Sequence, residues 1–373
     1  MSQRIGFANQ LRGLAALAVA VSHLVGVFWI LPDVVSAVTF SPPQPGPPPG
    51  PLLAVVAYPW FNFGPFGVAV FFLISGLVIP FSFQTHGRRG FAVARLLRIY
   101  PTYVIAFLLQ MLVLYGASLA WGRPFGFTLR AIVTNALLVY DLVGEPSLDL
   151  VNWTLSVELK FYLLALLLQP ALVAGRTVPL LGAGAALLAV NGAMALGWVG
   201  DLAAPPSTPS YTASSHSTCL IFMLIGVAFN FHSRGRLGAA GLLATAGVLV
   251  IAFLGSWRLG VWAGQYPVVS SNYLYALALF AALYAIRRWL PAVPGLDAMA
   301  SISFPFYVVH SLLGYSMLRA LMVALELGYT AALPITLLVL VAVSTMLHIL
   351  VERPTARAGK AIFRLREPRL REY

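Results

Sequence analysis

Charge is what this chain has least of. Asp, Glu, Lys and Arg make up 9% of its 373 residues, against roughly a quarter in soluble domains. Hydrophobic residues make up 60%, which excludes an ordinary water-soluble globule because too few polar side chains exist to cover it. Lysine is nearly missing, with Lys160 and Lys360 the two examples, so the net charge of +12 is carried by arginine. Those arginines fall in the gaps between apolar runs and form no basic face, so no nucleic-acid surface is implied. A single cysteine, Cys219, cannot make an internal disulfide or a metal site by itself and reads as a packing residue. No small-x-small cleavage site closes the first apolar run, which is therefore a retained helix with Asn9 as its N-cap, not a secretory signal. Long internal repeats, evident broken helices and a phosphate-binding glycine loop are all missing.

What is present is a series of apolar segments of membrane-crossing length. They lie near 11–31, 65–84, 99–120, 154–174, 178–199, 216–231, 237–257, 271–287, 299–323 and 332–351. The expected fold is an all-α integral membrane protein, a bundle of about ten transmembrane helices. With the N-terminus cytoplasmic, eighteen basic residues fall inside and three, Arg123, Arg130 and Arg258, outside. That bias places both termini in the cytoplasm. Asp33, Asp141, Glu145, Asp149, Asp201 and Glu326 then fall on the outer side. The domain reading is a transmembrane unit over 1–353 and a basic cytoplasmic tail over 354–373, drawn to anionic membrane lipid. SPPQPGPPPGP at 41–51 reads as a stiff connector. The 121–152 loop reads as a short surface helix, re-entrant around Ile132–Tyr140. Arginine-rich, lysine-poor usage with much Ala and Leu fits a GC-rich bacterial genome, and the expected location is the bacterial cytoplasmic membrane.

Ionisable residues inside apolar segments are costly and point to function. Arg12 and His23 share the first segment. Eleven positions return a side chain to nearly the same helix face, roughly 16 Å along the axis, so one sits near a membrane surface and the other near the midplane. His310 in segment nine comes to a similar depth. Ser75 in FFLISG and Glu158 in NWTLSVELKFYL lie between the midplane and the outer side. Arg95 and Arg98, one turn apart at the inner mouth of segment three, repel each other mildly and offer an anion site. Each has a plainer reading as a packing or topology residue.

Several of these residues fall in motifs that resemble the acyltransferase 3 family of membrane-bound O-acyltransferases. The arginine-x10-histidine motif matches Arg12 and His23, and FFxxSG matches Phe71, Phe72, Ser75 and Gly76. RxxRxxP matches Arg95, Arg98 and Pro101, and W-[ST]-L-x-x-E matches Trp153, Thr154, Leu155 and Glu158. Late in the chain, S-[YF]-x-x-Y-x-x-H matches Ser303, Phe304, Tyr307 and His310, and E-x-P matches Glu352 and Pro354. The chain departs from common members at Asn9, Gln10, Leu77 and Pro305. The resemblance implies transfer of a short acyl group, most often acetyl, from acyl-CoA to a hydroxyl of a glycan or glycosylated acceptor, with no metal. It also implies His23 as general base, with Glu158 and His310 as further catalytic residues. Arg12, Arg95 and Arg98 are expected to hold coenzyme A phosphates, and Ser75, Asn152 and Trp153 to line the substrate site. A sugar on a small secondary metabolite is the other acceptor class. A multi-helix transporter is the competing reading.

Overall fold

The computed structural model describes residues 2–43, 46–84 and 87–364. Gln44 and Pro45 of the proline-rich connector and Arg366, Arg369 and Arg371 of the basic tail lie outside the described residues. Helix α1 spans Ser2–Val21 and continues through a π-helical turn, Ser22–Val27, to Ile30. Then follow α2 (Phe63–Val78), α3 (Arg88–Ala120), α4 (Leu129–Ala136), α5 (Trp153–Leu167), α6 (Thr177–Ala195) and α7 (Pro209–Ser233). The chain proceeds through α8 (Ala239–Leu259), α9 (Ser270–Ile286), α10 (Pro294–Val309), α11 (Leu312–Arg319), α12 (Tyr329–Leu347) and α13 (Arg353–Arg364). Among the described residues the regular structure is all helical. Asn9, expected as the cap of the first helix, lies inside α1, which begins at Ser2.

Seven helices are long and apolar enough to cross a membrane, and α10 with Leu312–Ala324 makes an eighth if that bent pair is one span. The other two expected crossings are broken or short: 154–174 forms α5 of 15 residues followed by a separate helix Gln169–Ala174 of 6 residues, and 271–287 forms α9 of 17 residues. At about 1.5 Å per residue these are shorter than the roughly 30 Å hydrocarbon layer. The structure therefore gives a multi-pass helical membrane protein in which, among the described residues, seven helices, or eight with the bent pair, are long enough to span by themselves.

Helix α7 is the axis of the bundle, 94% buried over its apolar window, whereas the windows of α6, α8 and α12 are buried by less than a third. Lipid, not protein, solvates those outer helices, and their polar backbone is satisfied within each helix. Helix α2 packs on α7 on one side and on α1 on the other, and α1 continues the contact to α10. Glycines make these approaches close. A Cβ on Gly76 would lie 2.1 Å from the Met223 carbonyl oxygen, one on Gly226 2.4 Å from that of Leu73, and one on Gly13 2.3 Å from that of Leu296. Backbones in direct contact give dispersion attraction where the hydrophobic effect between helices is absent.

Two irregular elements enter this bundle, and the first departs from the sequence reading. Helices α10 and α11 are bent by 72° at His310–Ser311, so a broken span is present. The segment after α4, read as a surface helix re-entrant around Ile132–Tyr140, is buried at Leu138, Tyr140–Asp141 and Leu148–Asp149 and exposed over most of 142–147. Glu145 remains at the surface, paired with Arg130 at 2.9 Å, but Asp141 and Asp149 are buried. Asp141 accepts from Ser156 at 2.5 Å and from Lys160 at 2.6 Å on α5, and Asp149 accepts from the Ser311 hydroxyl at 2.7 Å. Non-helical backbone at this depth is tolerated because protein surrounds it and side chains complete its hydrogen bonds. Helix α5 consequently starts deep in the bundle, and Glu158 lies nearer the arginine-rich end than its count from an outer boundary implied.

At the opposite end, Arg319 is fully buried and donates to the carbonyls of Pro32 (3.1 Å) and Pro42 (3.2 Å). Prolines leave carbonyls but no N–H groups to satisfy, and a buried guanidinium satisfies two of them while resting over Phe28.

Candidate active site

A cavity of about 560 Å³ opens between α1, α2, α3, α5 and α10. Arg12, Arg98, Asp297 and Glu352 line the part near the arginine-rich end, with Glu158 beside them. Farther in, the walls are Val68, Phe71, Ser75, Thr154 and Tyr307. The helix registers account for this. Arg12 and Asn9, three apart on α1, face inward with Ser75 and Phe71, four apart on α2, and with Leu155 and Glu158, three apart on α5.

The charges in the cavity are arranged, not pooled. Glu158 accepts a 2.5 Å hydrogen bond from the Tyr162 hydroxyl, and Glu352 pairs with His348 at 2.7 Å. Arg12 lies within electrostatic reach of Arg98, Glu158 and Glu352. Arg95, the other arginine of the RxxR pair, does not line the cavity. Its guanidinium lies 5.4 Å from the Phe91 ring centre and 5.5 Å from that of Tyr162, and donates to Ser82. Arg95 thus braces the Tyr162 ring whose hydroxyl holds Glu158.

Beyond the inner wall lie the two histidines. Their rings meet edge to face at 5.0 Å, and the His23 Nδ1 is 2.6 Å from the Tyr315 hydroxyl. His310 Nδ1 is 2.7 Å from the Tyr307 carbonyl. A carbonyl can only accept, so that nitrogen carries the proton and Nε2 of the neutral ring is left with a free lone pair. Nε2 is buried without a hydrogen-bond partner. His23 is half-buried and stands in the π turn of α1, and His310 stands at the break after α10. Such irregular turns re-aim side chains that a continuous helix would direct elsewhere. Neither histidine lines the cavity. Phe71 and Tyr307, in edge-to-face contact at 5.5 Å, stand between, with the Tyr307 ring 5.6 Å from that of His310.

The structure thus groups Arg12, Arg98, Glu158 and Ser75 in one cavity and pairs His23 with His310 behind its wall. It sets Arg95, Asn152 and Trp153 apart from the cavity. The hydrogen-bond partner of His23 is Tyr315, while Glu158 lies in the cavity on the other side of the wall. Asn152 is fully buried and bridges Ser147, Asn135 and Tyr103, which fixes the inward loop. Trp153 packs against Phe72 and Trp262. Tyr315 and Asp149 carried no signal beyond being polar groups near a membrane segment. Tyr307 stood inside a motif whose histidine drew the attention. Among the described residues, no group of three or more His, Cys, Asp or Glu side chains is placed to hold a metal ion.

A family model for the acyltransferase domain, acyltransferase 3, matches residues 5–351. No curated protein and no solved structure matches the chain. The chain belongs to that acyltransferase family, and the protein is an acyltransferase that moves groups other than aminoacyl groups. Membership also settles the broken span, a feature expected of a transporter, in favour of an enzyme.

Proposed function

We propose that this protein transfers a short acyl group, acetyl in the first instance, from acyl-CoA to a hydroxyl of a glycan or glycosylated acceptor, with His23 as general base. The observation that carries the reading is the cavity itself: two arginines near its mouth, and an inner wall one ring thick before a histidine pair. Coenzyme A phosphates suit Arg98 and Arg12 at the mouth. The uncharged pantetheine arm then runs inward past Ser75, delivering the thioester to the Phe71–Tyr307 wall. The acceptor oxygen attacks the thioester carbon, its proton passes to His23, and the carbon–sulfur bond breaks. The thiolate leaves and takes up a proton, so the exchange is neutral overall. Closure at the wall means that the Phe71 ring, which meets Tyr307 edge to face, must shift for donor and acceptor to meet.

The arginine-rich end is the cytoplasmic one in this reading, both termini lie there, and α5 and α9 cross as short helices to complete ten spans in a bacterial cytoplasmic membrane. The basic segment after Arg353 rests on anionic lipid. Donor phosphates do not cross hydrocarbon, so the donor enters from the cytoplasm while the acceptor approaches from the other side. Inside-out vesicles are expected to consume added acyl-CoA, whereas sealed right-side-out vesicles remain inactive until detergent opens them. Equal rates in both sealed preparations would overturn this sidedness.

The RxxR pair divides. Arg98→Ala should raise the KM for acyl-CoA about tenfold, the scale of one charge-assisted hydrogen bond. Arg95→Ala should lower thermal stability and kcat more than it raises KM, because Arg95 braces Tyr162 and Glu158. Arg95→Lys should not restore it, since a point ammonium lacks the delocalised guanidinium that reaches both rings and Ser82 at once. Steady-state kinetics and thermal unfolding in detergent separate the two, and identical KM shifts would place both arginines on the donor.

A further inference from the structure

We infer that the Tyr307 hydroxyl is the hydrogen-bond donor to the oxyanion that forms during acyl transfer. The inference rests on the acyl-CoA reading and names a catalytic group within it. Tyr307 lies one turn before His310 on α10, and it is part of the cavity lining on the side of the histidine pair. A thioester carbonyl attacked from the histidine side presents its face to the attacking oxygen, and its own oxygen, roughly perpendicular to that approach, can lie along the wall where the Tyr307 hydroxyl stands.

Three contacts describe the hydroxyl. Tyr307 Oη is 2.8 Å from Thr154 Oγ1, Thr154 Oγ1 is 2.9 Å from the Val151 carbonyl oxygen, and Tyr307 Oη is 3.4 Å from that same oxygen. Two protons serve these three contacts. The carbonyl only accepts, and Thr154 makes the shorter approach to it, so Thr154 gives its proton to Val151 and accepts the phenolic proton. A phenolic proton has two preferred positions in the ring plane. Turning to the second releases it from Thr154 for an acceptor in the cavity. Thr154 can then turn its own proton onto the Tyr307 oxygen, giving a chain from Thr154 through Tyr307 to the substrate, in which each hydrogen bond polarises the next.

Of the other cavity hydroxyls, Tyr162 donates to Glu158, and Ser301 and Ser303 donate to the carbonyls of Ala298 and Ala300 on their own helix, at 2.6 Å and 2.8 Å. Ser75 is the one competing donor, and the Ser75→Ala variant separates it from Tyr307. Phe71, Phe72, Val68 and Ile74 offer no donor. When the acceptor oxygen bonds to the thioester carbon, the carbonyl electron pair moves to oxygen and the hydroxyl proton goes to His23. Collapse restores the carbonyl and expels the thiolate. The transient negative oxygen sits among apolar side chains, where an oriented donor contributes most.

The test compares acetyl-CoA with its dithioester analogue, in which sulfur replaces the carbonyl oxygen and accepts hydrogen bonds poorly. Tyr307→Phe keeps the ring and its contacts with Phe71 and His310. It is expected to lower kcat with acetyl-CoA about a hundredfold, with KM within about twofold. The wild-type preference for the oxygen donor should shrink by a similar factor, because the variant no longer distinguishes the two atoms. Thr154→Val should cost about tenfold and Thr154→Ser should restore it. An unchanged oxygen-to-sulfur preference in Tyr307→Phe, or its loss in Ser75→Ala instead, would overturn the assignment. A wild-type protein inert towards acetyl-CoA and longer acyl-CoA would overturn the donor reading itself, a result visible before any variant is compared.

Discussion

His23→Ala is expected to lower kcat about a thousandfold while the protein reaches the membrane at normal abundance. A positioned general base contributes about 10²–10⁴ to rate, and an alcohol is a poor nucleophile until its proton is taken. The structural cost is small by comparison. His23 is half-buried and its hydrogen bond is to the Tyr315 hydroxyl at 2.6 Å, a contact whose loss costs about 1 kcal/mol. The geometry also sets what the tautomer must be. For Nε2 to act as the base, Nδ1 must carry a proton and donate it to Tyr315. Radiolabel transfer from acyl-CoA, with abundance followed by immunoblot, measures both quantities. Full activity in His23→Ala would end the proposed chemistry.

Gly76→Val should abolish the folded protein. The added Cβ alone would lie 2.1 Å from the Met223 carbonyl oxygen and 2.9 Å from the Cα of Gly226. Backbone atoms of α7 cannot turn aside as a side chain can, so α2 must move away from the bundle axis. Overpacking commonly costs about 1–3 kcal/mol where side chains yield, and the cost here should exceed that range. Size-exclusion chromatography in mild detergent should show aggregate in place of a monodisperse peak, while Ser75→Ala, one position away and facing the cavity, should elute as wild type. A well-folded Gly76→Val protein would mean that the α2–α7 contact is looser than described. The glycine of FFLISG thus builds the fold, and the serine beside it faces the site.

Both results bear on what a linear reading can reach. The helical membrane class followed from the sequence because a bilayer demands long apolar segments with internally satisfied backbones, and composition reports that directly. Arg12, Glu158 and Ser75 were found as polar groups in apolar surroundings, and the cavity does collect them. The pairing of His23 with His310 required equal depth, which helical rise supplied, and a shared face, which it did not. A π turn and a 72° break bring the rings together, and neither has a periodic signature.

Sequence by itself determined the class, the distribution of arginine and the residues too costly to be accidental in a lipid-facing segment, because each follows from transfer of local groups out of water. Tertiary structure alone decided the rest. It buried Asp141 and Asp149, which were expected on the outer side, and set α5 deep, because Lys160, Ser156 and Ser311 complete their hydrogen bonds. It also separated Arg95 from Arg98, one on aromatic rings and one in the cavity. Three residues along a helix rotate a side chain by about 300°, and which neighbour occupies each direction depends on helices distant in the chain.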